Sequence, residues 1–282
     1  MRRVRRADGH PFFDNAGLPL AFAHRGGATS AEDLAFENSM AAFEQAVRLG
    51  YHYLETDAHV TADGAVLAFH DDHLDRVTDG RGAVADLTYA EVARARIAGV
   101  HPIPLLEDVF ASWPDIRLNI DAKSQAVVPA LARVVGQRRA WDRVCVASFS
   151  VRRLRALRRE LGPRVASSYG PVGVAGLRLL PGAALRRLLL GPGALAAQVP
   201  PRVAPARHPA LAGARRQRGP GLEIVTAAFV ERAHALGKQV HVWTVDAPEE
   251  MEHLLGLGVD GIMTDRIDVL RDVFRRRGLW RD

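Results

Sequence analysis

The feature that most constrains this chain is a regular alternation between two kinds of segment. Apolar runs ending in polar residues occur at 20–24, 52–57, 66–70, 116–121, 144–148, 165–168, 240–245 and 261–264. Segments with helical spacing lie among them, at 39–49, 89–97, 127–137, 151–161, 227–236 and 248–255. Short strands interleaved with helices make the chain α/β. Eight such strands in 282 residues predict a (β/α)8 TIM barrel, with a doubly wound sheet as the competing topology. A further apolar run at 196–199 is surplus to that count. No fixed-period repeat or linker divides the chain, so a single barrel domain is expected over 19–282, behind an N-terminal tail at 1–18. Residues 71–106 are long for one crossover and predict an excursion after strand 3. Residues 161–222 break the composition instead, with nine arginines, many Pro, Gly and Leu, and no Asp or Glu.

With 48% hydrophobic and 25% charged residues, the composition excludes a disordered, collagenous or disulfide-stapled chain. The lone cysteine, Cys145, cannot form an internal disulfide and reads as a small buried hydrophobe. The start of the sequence is basic without an apolar stretch behind it, and no apolar run reaches the roughly 18 residues that span a bilayer. A cytoplasmic location is therefore expected. Net charge is +6, and only Lys123 and Lys238 among 38 cations are lysines. A chain that writes arginine almost everywhere makes a retained lysine informative, because ammonium and guanidinium do different jobs. Lys238, at a helix end, has no chemistry-bearing neighbours in sequence and is expected to accept arginine freely.

The chemistry gathers at strand ends. Glu55 and Asp57 are two apart, so both side chains face one side of their strand. Asp121 and Lys123 repeat the spacing, while His24 and His70 close two other strands. C-terminal strand ends are where this fold builds active sites. Three carboxylates there would repel one another without a cation among them, and all-oxygen ligation suits Mg²⁺ or Ca²⁺. Trp243 ends a strand facing the same mouth and packs either on a substrate moiety or in the core. Asp265 ends the last strand as a site residue or as a helix cap before Ile267. Gly26-Gly27 would let backbone approach an anion closely. His52, His59, His73, His101, His208, His234, His241 and His253 read as surface or packing residues.

These pieces, in order, resemble the glycerophosphodiester phosphodiesterase family of (β/α)8-barrel enzymes. The matching stretches are Ala23-His24-Arg25-Gly26, Glu37-Asn38-Ser39, Leu54-Glu55-Thr56-Asp57, Asp63-Gly64 and Phe69-His70-Asp71. Further along come Leu74-Asp75-Arg76-Val77-Thr78, Leu118-Asn119-Ile120-Asp121-Ala122-Lys123, Trp243-Thr244-Val245-Asp246 and Gly258-Val259-Asp260-Gly261-Ile262-Met263-Thr264-Asp265. The resemblance implies metal-dependent hydrolysis of a glycerophosphodiester to glycerol 3-phosphate and an alcohol. It also implies His24 and His70 as general acid and base, Glu55, Asp57 and Asp121 as metal ligands, and Arg25 and Lys123 as phosphate contacts. Ser39 stands where the family commonly has threonine and keeps the hydroxyl. Asp121 stands where it commonly has glutamate, which shortens the reach to a metal by one methylene.

Two other functions compete. The leucines of 161–222, interleaved with Arg178, Arg186 and Arg187, suit lysophospholipase D-like hydrolysis of lipid phosphodiesters with peripheral membrane contact. The basic second half suits non-catalytic anion or nucleic-acid binding. Its arginines scatter without interleaved aromatics, however, so a small-molecule partner is expected and nucleic acid is not.

Overall fold

Short runs of apolar residues set between turns and amphipathic helices fold here into one barrel. The computed structural model describes residues 7–190, 193–203 and 221–281. His208 and residues 1–6 of the expected tail lie outside them. In chain order, β1 (Leu20–Ala28) leads through α1 (Met40–Arg48) to β2 (Tyr53–Val60), which turns back into β3 (Val66–Ala68). An excursion carries α2 (Tyr89–Val92), β4 (Arg96–Ile97) and β5 (His101–Pro102) before α3 (Leu106–Ser112). Then come β6 (Arg117–Ala122), α4 (Val127–Gln137), β7 (Val144–Ala147), α5 (Val151–Leu161) and β8 (Ala166–Ser167). Next are α6 (Pro171–Leu179), α7 (Ala183–Leu189), β9 (Ala196–Val199) and the antiparallel pair β10 (Arg202–Val203) and β11 (Leu222–Glu223). The last elements are α8 (Ala227–His234), β12 (Gln239–Val242), α9 (Pro248–Gly256), β13 (Gly261–Arg266) and α10 (Ile267–Arg276).

The barrel order is β8, β7, β6, β2, β1, β13, β12, β9, and every neighbouring pair is parallel. It closes between β8 and β9, where the Tyr169 N–H donates to the Ala196 carbonyl at 2.8 Å and the Leu195 N–H to the Ser167 carbonyl at 2.8 Å. The (β/α)8 class expected from sequence is thus present, but one strand in the count is different. The run at 66–70 is no barrel strand, because β3 pairs antiparallel with β2. A parallel partner needs a crossover of about a dozen residues, and only 61–65 separate the two, folded into a turn at Gly64 (φ 86°). The surplus run at 196–199 takes the vacant place as β9. The excursion therefore begins after the second barrel strand and has its own small core of Leu67, Phe69, Leu74, Val84, Val92, Ile97 and Ile103.

Inside the barrel, Leu20, Phe22, Tyr53, Cys145, Ala166, Ala196 and Met263 form an apolar floor. Phe12 and Phe13, ahead of β1, pack into it from below, and the Tyr53 hydroxyl donates to the Phe12 carbonyl at 2.8 Å. The larger core lies between the strands and the surrounding helices. Lys238 departs from its sequence reading: it is buried, and its Nζ donates to the Ala194 carbonyl at 2.6 Å.

Candidate active site

A strand period of two carries the barrel interior from an apolar floor to a charged mouth. Two residues above Phe22 stands His24, above Tyr53 stands Glu55, above Ala196 stands Gln198, and above Met263 stands Asp265. Parallel register does the rest, setting His24 beside Glu55 and Asp57 beside Asp121. Arg25 and Lys123 follow at the ends of the same strands. One cavity of about 560 Å³ is lined by His24, Arg25, Glu55, Asp57, His70, Asp121, Lys123 and Trp243. Every expected site residue therefore meets at one place. His70 arrives by a different route from the one expected, on the loop after β3 rather than at a barrel strand end.

Each histidine is held at Nδ1 by a carboxylate. His24 Nδ1 lies 2.5 Å from Asp265 Oδ1, and His70 Nδ1 lies 2.5 Å from Asp71 Oδ1. His24 Nε2 stands 3.7 Å from Glu55 Oε2. Asp265 is thus a partner of His24 and not a helix cap; α10 is preceded by Arg266 at that position. Arg76 grips Asp71 and also Glu37, whose Oε1 accepts from Arg25 at 3.0 Å, tying the excursion to the site. His59 is a packing residue with a task, hydrogen-bonded through Nε2 to the His70 carbonyl at 3.1 Å. Asn38 is buried, and its side chain donates to Asp57 Oδ2 at 3.2 Å and accepts from Thr56 at 2.7 Å. Ser39 explains its hydroxyl by capping α1, accepting from the Ala42 N–H at 3.1 Å.

Gly26 and Gly27 have positive φ, 87° and 68°, and both are closely packed. A Cβ on Gly26 would sit 2.7 Å from Ala42 Cβ, and one on Gly27 would sit 2.3 Å from Ile267 Cγ2. The two glycines let β1 pass close to α1 and α10. Trp243 lines the cavity, meets Phe149 edge-on at 5.7 Å, and packs on the interior floor.

The electrostatics follow from burial. Desolvation, reinforced by the adjacent Asp57, pushes the Glu55 carboxyl up to about 7. Burial also opposes ionisation of Asp57, but Lys123 and Arg25 outweigh it and hold Asp57 below the usual carboxylate range. Asp121 is raised by burial despite Lys123. Burial would depress His24, yet Glu55 and Asp265 overcome it and raise the imidazole. His70 is lowered by burial, with Asp57 pulling the other way.

Whether these side chains suit a divalent cation turns on their donors. Asp121 Oδ1 is buried and accepts no hydrogen bond, while Glu55 and Asp57 repel each other, so an all-oxygen cation site matches the charge present. Lys123 Nζ lies between Asp57 Oδ1 and Asp121 Oδ2, 2.8 Å from each. Among the described residues, no three His, Cys, Asp or Glu side chains converge closely enough to hold an ion. The oxygen donors match a cation in charge and type but not in convergence.

Residues 24–269 match the glycerophosphoryl diester phosphodiesterase family. A relative from Mycobacterium tuberculosis, "Probable glycerophosphodiester phosphodiesterase 2", is 39% identical over 94% of this chain and 94% of its own length. The human protein "Lysophospholipase D GDPD1" is 27% identical over 90% of this chain and 86% of its own. A phosphodiesterase from Oleispira antarctica, solved in complex with sn-glycerol-3-phosphate as product, superposes with a TM-score of 0.69. That fold match is at 20% identity, over 92% of this chain and 98% of the other.

Proposed function

The chain belongs to the glycerophosphoryl diester phosphodiesterase family, and from that premise we propose how its residues divide the work. The protein is a phosphoric diester hydrolase, cleaving glycerophosphodiesters to glycerol 3-phosphate and an alcohol. The observation behind the residue assignment is one cavity wall that holds two histidines, three carboxylates, an arginine and a lysine. A phosphodiester is anionic and has a poor leaving group, so it needs charge neutralisation, a deprotonated nucleophile and a protonated leaving oxygen. Arg25 and Lys123 supply positive charge to the phosphoryl oxygens. His24 and His70 form the acid–base pair. With Nδ1 of each tied to a carboxylate, Nε2 is the atom that exchanges a proton with the substrate. Glu55, Asp57 and Asp121 would hold a divalent cation, Mg²⁺ or Ca²⁺. Such an ion, when bound, draws charge from the phosphoryl oxygens.

The test is release of glycerol 3-phosphate from several glycerophosphodiesters, each with chelator, Mg²⁺ and Ca²⁺. Release should stop on chelation and return with one ion, and Glu55→Gln and Asp57→Asn should raise the ion concentration required. Undiminished release after exhaustive chelation would remove the cation assignment. No release from any diester would remove the reaction.

A second reading, lysophospholipase D-like hydrolysis of acylated diesters, has one observation in its favour. Part of the cavity lining is apolar, built from Val174, Leu179, Leu222 and Ile224. Comparing acylated with unacylated substrates in the same assay separates the two. Membership of a hydrolase family sets aside the non-catalytic anion-binding alternative. Among the described residues, no helix is long and apolar enough to cross a membrane. A cytoplasmic place of action is proposed on the support of the single cysteine, buried and free.

A further inference from the structure

Apolar exposure on this molecule is concentrated in one place. Ten large apolar side chains are exposed among the described residues, and eight of them fall between Phe149 and Leu222. Phe149, Val172, Leu179, Leu188, Leu189 and Leu222 are between 59% and 77% exposed, where soluble proteins normally scatter such residues singly. Phe149, Leu179 and Leu222 also line the catalytic cavity, so the patch reaches its mouth. No Asp or Glu occurs between Glu160 and Glu223. The exposed Arg187 stands on α7 beside Leu188, with its guanidinium donating to the Ala235 carbonyl at 3.3 Å, and Arg178 lies on the cavity wall. Arg186 is not available, being buried with its guanidinium donating to the Leu180 carbonyl at 2.7 Å.

An apolar rim with cations, where Glu223 beside Leu222 is paired with Arg202 at 4.0 Å, complements an anionic lipid interface. It suits a second copy of this chain poorly, since a twofold contact would bring like arginines together. A protein partner seated there would also cover the cavity mouth, whereas a bilayer would face it with substrate. We propose that the rim formed by α6, α7, Phe149 and Leu222 docks on an anionic lipid bilayer and turns the active-site mouth toward lipid-borne diesters. The second half of that statement rests on the hydrolase reading above; the docking does not.

The probe is a set of vesicles of phosphatidylglycerol with phosphatidylcholine, against vesicles of phosphatidylcholine alone. The protein should co-sediment with the anionic vesicles and less with the zwitterionic ones. Leu188→Glu/Leu189→Glu, and independently Val172→Glu, should lower the bound fraction by on the order of tenfold. Melting temperature and turnover of water-soluble glycerophosphoglycerol should stay unchanged, because none of these residues lines the cavity. Docking is overturned if the unmodified protein ignores vesicles or if the variants bind them equally well. It is also overturned if light scattering finds a dimer that the glutamates dissociate, which would make the rim a self-interface. If glycerophosphoglycerol is not hydrolysed at all, the hydrolase reading fails while the vesicle result still decides the docking.

Discussion

Lys123 touches carboxylate oxygens of both Asp57 and Asp121 at 2.8 Å, and its pairing with them outweighs burial to keep it charged. Guanidinium is larger and planar, so Lys123→Arg should keep the fold and lower turnover by on the order of 10-fold or more. Lys123→Met should lower it further, because the phosphoryl oxygens would lose the charge of the ammonium. Steady-state kinetics at saturating metal decides this, and unchanged kinetics for Lys123→Arg would return the residue to a surface role. Lys238→Arg should do the opposite, leaving kcat alone. Its site is buried, so the larger head should cost about 1–3 kcal/mol in urea denaturation through overpacking. Strand spacing, the rarity of lysine and the family resemblance marked Lys123 but missed Lys238, whose burial depends on where Ala194 arrives, more than forty positions away. Asp265 and Asp71 were equally hard to assign. An acidic residue at a strand end looks the same whether it caps a helix or holds an imidazole.

Among the elements, β1 shows most directly how packing and chemistry share a segment. His24 and Arg25 face the mouth, and the next two residues must be glycines because α1 and α10 press against them. Gly27→Ala would place a methyl 2.3 Å from Ile267 Cγ2 at a φ of 68°. It should destabilise the protein by about 2–3 kcal/mol, measured by chemical denaturation, and reduce activity with it. Stability equal to the unmodified protein would mean that α10 can withdraw at no cost. The hairpin of β2 and β3 carries the complementary lesson. A run of Val, Leu, Ala and Phe reads equally as a parallel barrel strand or as an antiparallel return. Only the five-residue connection decides, being too short for a crossover.

For the whole molecule, the barrel interior is apolar below and charged above, and pH reports on that division. His241 is fully buried beside Phe13, Phe22 and Gln198, and burial depresses its imidazole to about 4. The unfolded chain takes up this proton near pH 6.5, whereas the folded one does so only near 4. Stability from neutral His241 is therefore complete above about pH 6.5 and is lost as pH falls toward 4, by on the order of 3 kcal/mol. Denaturation across that window should show a steeper loss for the unmodified protein than for His241→Gln, and parallel curves would refute the assignment. At this scale the sequence was sufficient for the α/β class, for the strand ends bearing His24, Glu55, Asp57, Asp121 and Lys123, and for the ordered motifs of the family. Those are local signals, carried by a period of two and by spacing within single strands. Which eight runs close the ring, how Glu37 and Arg76 tie the excursion to Arg25, and where the exposed leucines gather were decided only in three dimensions. Each depends on register between segments far apart in the chain, and a side chain's burial and partners exist only once those segments meet.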